Sequence, residues 1–132
     1  MSAIKTVNPT QAHDILKNDA DAILIDTRTK IEFSFVGHPV GAVHVPLKRP
    51  PNWDNFPDFV EQVEKHLSSK STPVVLMCRS GARSMDAAKL LEEAGYQTLY
   101  NMDEGFEGDK DENNHRSTIS GWRFHKLPWE QS

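Results

Sequence analysis

The 132-residue chain reads as an α/β domain: a central, mostly parallel five-stranded sheet with helices on both faces. Three observations predict this. Short apolar runs alternate with stretches of helical period, as they do when parallel strands are joined by crossover helices. The runs are apolar at consecutive positions, as in Ala22-Ile23-Leu24-Ile25 and Pro73-Val74-Val75-Leu76-Met77, which fits strands buried on both faces. The length supports one domain, residues 1–132, around one core.

Taken in order, Ile4 to Val7 is an edge strand. Asn8 or Thr10 caps a first helix, with Pro9 in its first turn, running to about Lys17. Ala22 to Asp26 is the second strand, Thr29 opens a short helix ending near Val36-Gly37, and Ala42 to Val45 is the third strand. Lys48 to Pro57 is a connection punctuated by Pro50, Pro51 and Pro57. Phe56, Phe59, Val60, Val63 and Leu67 then share one helical face. Val74 to Met77 is the fourth strand. Ala87, Leu90, Leu91 and Ala94 mark an amphipathic helix, and Gly95 stands where a left-handed residue ends one. Gln97 to Tyr100 is the fifth strand. Residues 109–120 are polar and predict an extended surface loop, after which Trp122 and Trp129 are expected to pack the tail onto the core.

Composition narrows the function. A net charge of −4 argues against general affinity for nucleic acid. No apolar run is long enough to cross a membrane. No apolar signal region follows Met1-Ser2-Ala3-Ile4-Lys5, although a leader already removed would leave the same sequence. The single cysteine permits no internal disulfide and agrees with a reducing, cytoplasmic location. Asp103, Glu104, Glu107, Asp109, Asp111 and Glu112 form a late acidic cluster, read as a solvated face with a docking surface as the alternative.

Cys78 is the chemical focus. It follows the fourth strand and opens the run Cys78-Arg79-Ser80-Gly81-Ala82-Arg83-Ser84, which feeds a helix. In an open parallel sheet, ligands bind beyond the carboxyl ends of the strands, where this thiol lies. Backbone N–H groups of such a loop and of the helix start favour an anion, and two arginines add full positive charge. Gly81 lets the backbone turn with its amides inward. The bland reading, a small buried hydrophobe at a strand end, fits two flanking arginines and a glycine poorly.

The segment resembles the active-site loop of the rhodanese family, Cys-x-x-Gly-x-Arg at the end of a parallel strand. Upstream, Asp26-Thr27-Arg28, Glu32-Phe33, Gly37-His38-Pro39-Val40-Gly41-Ala42 and Val45-Pro46 are similar to the Asp-x-Arg, Glu-Phe, Gly-His-x-x-Gly-Ala signature of that family. Glu104-Gly105-Phe106-Glu107-Gly108 stands where it carries a Gly-rich turn, and Gly121-Trp122 with Leu127-Pro128-Trp129 resembles the tail of single-domain members. Little usually occupies the region of Gly108 to Gly121 in the family, so that stretch is the main departure.

The resemblance implies a sulfurtransferase that forms a persulfide on Cys78, taking sulfur from a small anionic donor such as thiosulfate or a persulfide. The acceptor would be cyanide, a thiol or a protein sulfur acceptor. Arg79, Ser80, Gly81, Ala82, Arg83 and Ser84 would bind substrate, with Arg79 at the mouth. Arg83 either touches substrate or braces the loop through acidic partners, as it does in the family. A persulfide-carrying or protein-binding module without turnover is the alternative. Phosphatase is a weaker one, because related phosphatases have one more residue in the loop and Cys-x4-Arg leaves less room for a tetrahedral phosphate.

The remaining polar residues read as structural support. Asp26 and Arg28 anchor a strand end, Glu32 can pair with Arg28 four residues earlier, and His38 and His44 are hydrogen-bonded rather than metal ligands. No metal or other cofactor is implied. Trp53 either shelters the pocket mouth or packs under the following helix.

Overall fold

The computed structural model describes residues 3–132. β1 (Ile4–Val7) leads into α1 (Pro9–Asn18) and β2 (Ile23–Asp26). One turn of π-helix, Glu32–Val36, precedes β3 (His38–Pro39) and β4 (Val43–His44). β5 (Lys48–Arg49) and β6 (Asp54–Asn55) form a small hairpin, followed by α2 (Phe59–Glu64), β7 (Val74–Met77), α3 (Ala82–Glu93), β8 (Leu99–Met102) and β9 (Trp129–Glu130). The central sheet has the order β1-β8-β7-β2-β4, and every neighbouring pair in it is parallel.

The apolar runs explain that sheet. β7 occupies its centre with all four residues fully buried, because Val74, Val75, Leu76 and Met77 face apolar side chains on both sides. On one face Ile25, Val74, Leu76 and Leu99 pack against Phe59 and Val63 of α2 and Ala87, Ala88 and Leu91 of α3. On the other, Leu24, Val75 and Met77 meet Ala12 of α1 together with Phe106 and Trp122. Helices therefore cover both faces as the sequence predicts.

Local signals set the ends. Asn8 caps α1 and Gln11 returns the bond, since Asn8 Oδ1 accepts from the Gln11 N–H and Gln11 Oε1 from the Asn8 N–H. α3 closes at Gly95, whose φ of +97° suits a residue without Cβ. β8 begins two residues later than the sequence suggests, at Leu99, because the Gln97 N–H is taken by Lys70 O. It also runs on through Asn101, whose polar side chain made the apolar run look finished at Tyr100.

The C-terminal third departs more. Residues 108–121 hold no helix or strand, yet they fold back on themselves rather than extend. Ser120 Oγ accepts from the Asp109 N–H, and the Asp111 carboxylate accepts from the Asn113 and His115 amides and the Thr118 hydroxyl. Asp111 thus shapes the loop, while Asp103, Asp109 and Glu112 are exposed as in a solvated face. Trp122 is buried as expected, whereas Trp129 is 42% exposed. It lies across Gly37, where a Cβ would come 2.8 Å from its ring. β9 joins β3 antiparallel there, and the ring-stacked Arg123 donates to Val36 O. Among the described residues, no helix is long and apolar enough to cross a membrane.

Candidate active site

Two adjacent strand ends build the site. β2 and β7 pair in register at Asp26 and Met77, and the Thr27 N–H and hydroxyl both donate to Met77 O. Cys78 follows directly and is buried, 1% exposed. The loop then curls around its sulfur. The Gly81 N–H donates to Cys78 Sγ at 3.0 Å. Gly81 has φ +112°, and a Cβ there would collide with Asp103 O, so both the turn and the close approach require glycine. Gly105 presses in the same way on the Arg79–Ser80 peptide.

The other amides of the loop are free to receive an anion. Among the described residues no backbone carbonyl takes the N–H groups of Arg79, Ser80, Ala82, Arg83 or Ser84. A run of uncommitted amides at a helix start is the raw material of a nest for negative charge, and the Gly81 N–H already points at the sulfur. The outer side of the loop is pinned instead. The Phe106 N–H donates to Cys78 O, and those of Glu107 and Gly108 donate to Arg79 O.

Ser84 Oγ lies 3.4 Å from Cys78 Sγ, and it also lies 3.1 Å from Gly81 O and 2.5 Å from Asn101 Oδ1. The single hydroxyl proton of Ser84 thus has three acceptors within reach, the Cys78 sulfur among them. Asn101 is a site residue that sequence reading missed, being hidden in a strand whose end was placed short of it.

Arg83 is a brace. Its Nη1 and Nη2 donate to Glu32 Oε1 and Oε2 at 2.8 and 2.9 Å, a bidentate pair across 51 residues. This corrects the expected pairing of Glu32 with Arg28: Arg28 is spent elsewhere, and the π-turn aims Glu32 at α3. Burial pushes the Glu32 carboxyl up, but Arg83 and the N–H and hydroxyl of Thr29 outweigh it and bring it down to about 2. Burial lowers Arg83, while Glu32 and the charges of Cys78 and Asp26 more than offset this and raise it.

Asp26 and Arg28 are fully buried and pair at 2.7 Å. Arg28 also donates to Gly37 O and lies over the Phe106 ring at 4.6 Å, while its Nη1 has no hydrogen-bond partner among the described residues. His38 Nδ1 bonds Phe33 O and His44 Nε2 bonds Arg28 O, and both rings stack on Phe33. No three His, Cys, Asp or Glu side chains converge as a metal set among the described residues.

Above the loop opens a cleft of about 640 Å³ whose lining includes Ile31, Val36, Lys48, Pro50, Trp53 and Arg79, together with Glu32, Arg83 and Glu107. Arg79 is exposed on its wall with no hydrogen-bond or ion-pair partner among the described residues. Trp53 stands at the mouth, 5.7 Å from the Arg83 guanidinium, rather than under α2. Sequence reading missed Lys48, Ile31 and Glu107, whose only signal is that their elements converge on the ends of β2 and β7.

The comparisons agree with this geometry. The Rhodanese-like domain family matches residues 8–112. Thiosulfate sulfurtransferase 16, chloroplastic, of Arabidopsis thaliana is 36% identical over 103 residues, covering 76% of this chain and 82% of that protein. An uncharacterized protein of Rickettsia rickettsii is 30% identical over 132 residues, covering 97% of this chain and 98% of its own. A crystal structure of a protein from M. tuberculosis superposes with a TM-score of 0.87 at 34% identity, covering the whole of both chains. With the family match running over most of the chain, and with a Cys78 loop of the same pattern at the end of a central parallel strand, the chain belongs to the rhodanese-like domain family.

Proposed function

We propose that the protein is a sulfurtransferase that carries sulfane sulfur on Cys78. The observation that supports this most is the loop itself: one Gly81 N–H on Sγ at 3.0 Å, with five neighbouring amides uncommitted. The Cys78 thiolate attacks the outer sulfur of thiosulfate. A new S–S bond forms, the donor S–S bond breaks with its electron pair, and sulfite leaves. Loop amides hold the persulfide anion, and Arg79 receives the sulfonate oxygens of the donor. A thiol or cyanide then attacks the outer sulfur and returns Cys78 as thiolate, a double-displacement cycle. The loop length favours this over phosphoryl transfer, because Cys-x4-Arg from Cys78 to Arg83 is one residue shorter than the loop of the related phosphatases.

The test has two readings. Mass spectrometry after thiosulfate treatment is expected to show one added sulfur on the wild-type protein and none on Cys78→Ser. Cyanide should then remove it with turnover. A folded Cys78→Ser protein that still forms thiocyanate rejects the assignment, and loading without turnover makes the protein a persulfide carrier instead.

A further inference from the structure

The cleft is larger and more apolar than an inorganic donor requires. Its volume of about 640 Å³ lies within the range of about 300–1,000 Å³ found for sites that take organic ligands. Thiosulfate fills a small part of it and has no use for apolar walls. Yet Ile31, Val36, Pro50 and Trp53 form those walls, with Ile31 75% and Trp53 49% exposed. These walls share the cleft with Arg79 and Arg83 of the Cys78 loop, and large apolar side chains left uncovered there mark a surface awaiting a partner.

Trp53 is held there at a cost. Its φ is +60°, a left-handed conformation unfavourable for a bulky residue. The β5–β6 hairpin imposes it: Lys48 pairs with Asn55, Arg49 with Asp54, and the Trp53 N–H closes the turn on Arg49 O at 2.9 Å. Charge adds a second criterion. Glu32 and Arg83 neutralise each other, which leaves Lys48 and Arg79 against Glu107 in a chain whose net charge is −4. Among the described residues, Lys48 Nζ has only the neutral Asn55 Oδ1 as its partner, at 3.0 Å.

We infer that the cleft binds an organic thiol, or its persulfide, with a flat apolar body and a carboxylate: the ring against Trp53 and Ile31, the carboxylate toward Arg79 and Lys48. The inference rests on the sulfurtransferase reading and names the class of its acceptor. The acceptor thiolate attacks the outer sulfur of the Cys78 persulfide. A new S–S bond forms between the acceptor and that outer sulfur, the bond to Cys78 breaks, and Cys78 leaves as thiolate while the acceptor departs as its persulfide.

The experiment loads Cys78 with thiosulfate and follows discharge by 4-(mercaptomethyl)benzoate, 3-mercaptopropanoate and benzyl mercaptan, all alkyl thiols. The aromatic carboxylate is expected to discharge roughly tenfold faster than the aliphatic one, as a ring stacked on tryptophan warrants. In Trp53→Ala that ratio should approach one. In Lys48→Ala/Arg79→Ala the advantage over benzyl mercaptan should vanish. Equal rates for the two carboxylates on the wild-type protein overturn the inference. If no sulfur loads, the sulfurtransferase reading fails instead, and binding is judged separately. Unreactive 4-methylbenzoate should then shift the Trp53 indole N–H signal of Cys78→Ser protein saturably; an unmoved signal overturns the cleft assignment by itself.

Discussion

Arg28 and Arg79 occupy equivalent places on neighbouring strands. Each stands two residues past the register pair Asp26 and Met77, at the same end of the sheet. Arg28 is fully buried, shares its charge with Asp26, and donates to Gly37 O. Arg79 is exposed on the cleft wall with no partner among the described residues. The residue type and position are the same, and the surroundings assign opposite roles. What differs is the cover. Phe106 closes over the Arg28 guanidinium and donates its N–H to Cys78 O, so the turn that seals one arginine also fixes the backbone from which the other projects. Burial thus converts one arginine into framework and leaves its neighbour available to a ligand.

The largest effect should come from breaking the buried member. Arg28→Met leaves the Asp26 carboxylate enclosed without its cation, which costs about 3–5 kcal/mol where one partner of a buried pair is removed. The expected result is a large fall in the urea midpoint. Adding Asp26→Leu removes the stranded charge and should restore much of the loss, since apolar replacement of a whole buried pair is tolerated. A single Arg28→Met variant that melts like wild type would mean the pair is not what holds this strand end.

Between the two extremes lies Arg83, half-buried and braced by Glu32. Glu32→Gln should weaken the bidentate pair and cost about 1–2 kcal/mol at neutral pH, discounted for partial exposure to solvent. The sign follows from the carboxyl. Its folded value of about 2 lies below the ordinary 4.5, so its contribution is complete above pH 4.5 and is lost as pH falls toward 2. Denaturant titrations across that window should show a steeper acid loss for wild type than for Glu32→Gln. Parallel acid limbs would show that Glu32 carries no stabilising charge.

The comparison also explains what a linear sequence can disclose. The sheet was legible because β2 and β7 are continuous apolar runs, and Cys78 because its loop packs a nucleophile, two arginines and a glycine into one short segment. Glu32 was legible as a carboxylate but not as the partner of Arg83, since proximity along a helix suggested Arg28 and only the π-turn redirects it. Asn101 reaches Ser84 of α3 from β8, and Lys48 reaches the cleft from a hairpin whose pairing has no periodic signal, so that Trp53 of the same hairpin was legible only as one of two alternatives. Trp129 looked like core by residue type, yet the segment it belongs to crosses the π-turn at the surface. Contacts made by local spacing were readable; those made by closure of distant loops over the sheet end were not.

The smallest effect on stability is expected at Arg79, and it is the sharpest test of the contrast. An exposed guanidinium without partners contributes little to folding, so Arg79→Ala should move the unfolding free energy by no more than about 0.5 kcal/mol. Its loss should be felt by the donor instead. Removing a charge-assisted contact of about 1.5–3 kcal/mol corresponds to roughly ten- to a hundredfold in affinity, read as a rise in the KM for thiosulfate. Arg79→Lys should recover part of this, because an ammonium keeps the charge but lacks the planar fork that meets two sulfonate oxygens. An unchanged KM in Arg79→Ala, with stability also unchanged, would leave the loop amides as the whole anion site and reduce the difference between Arg28 and Arg79 to one of burial alone.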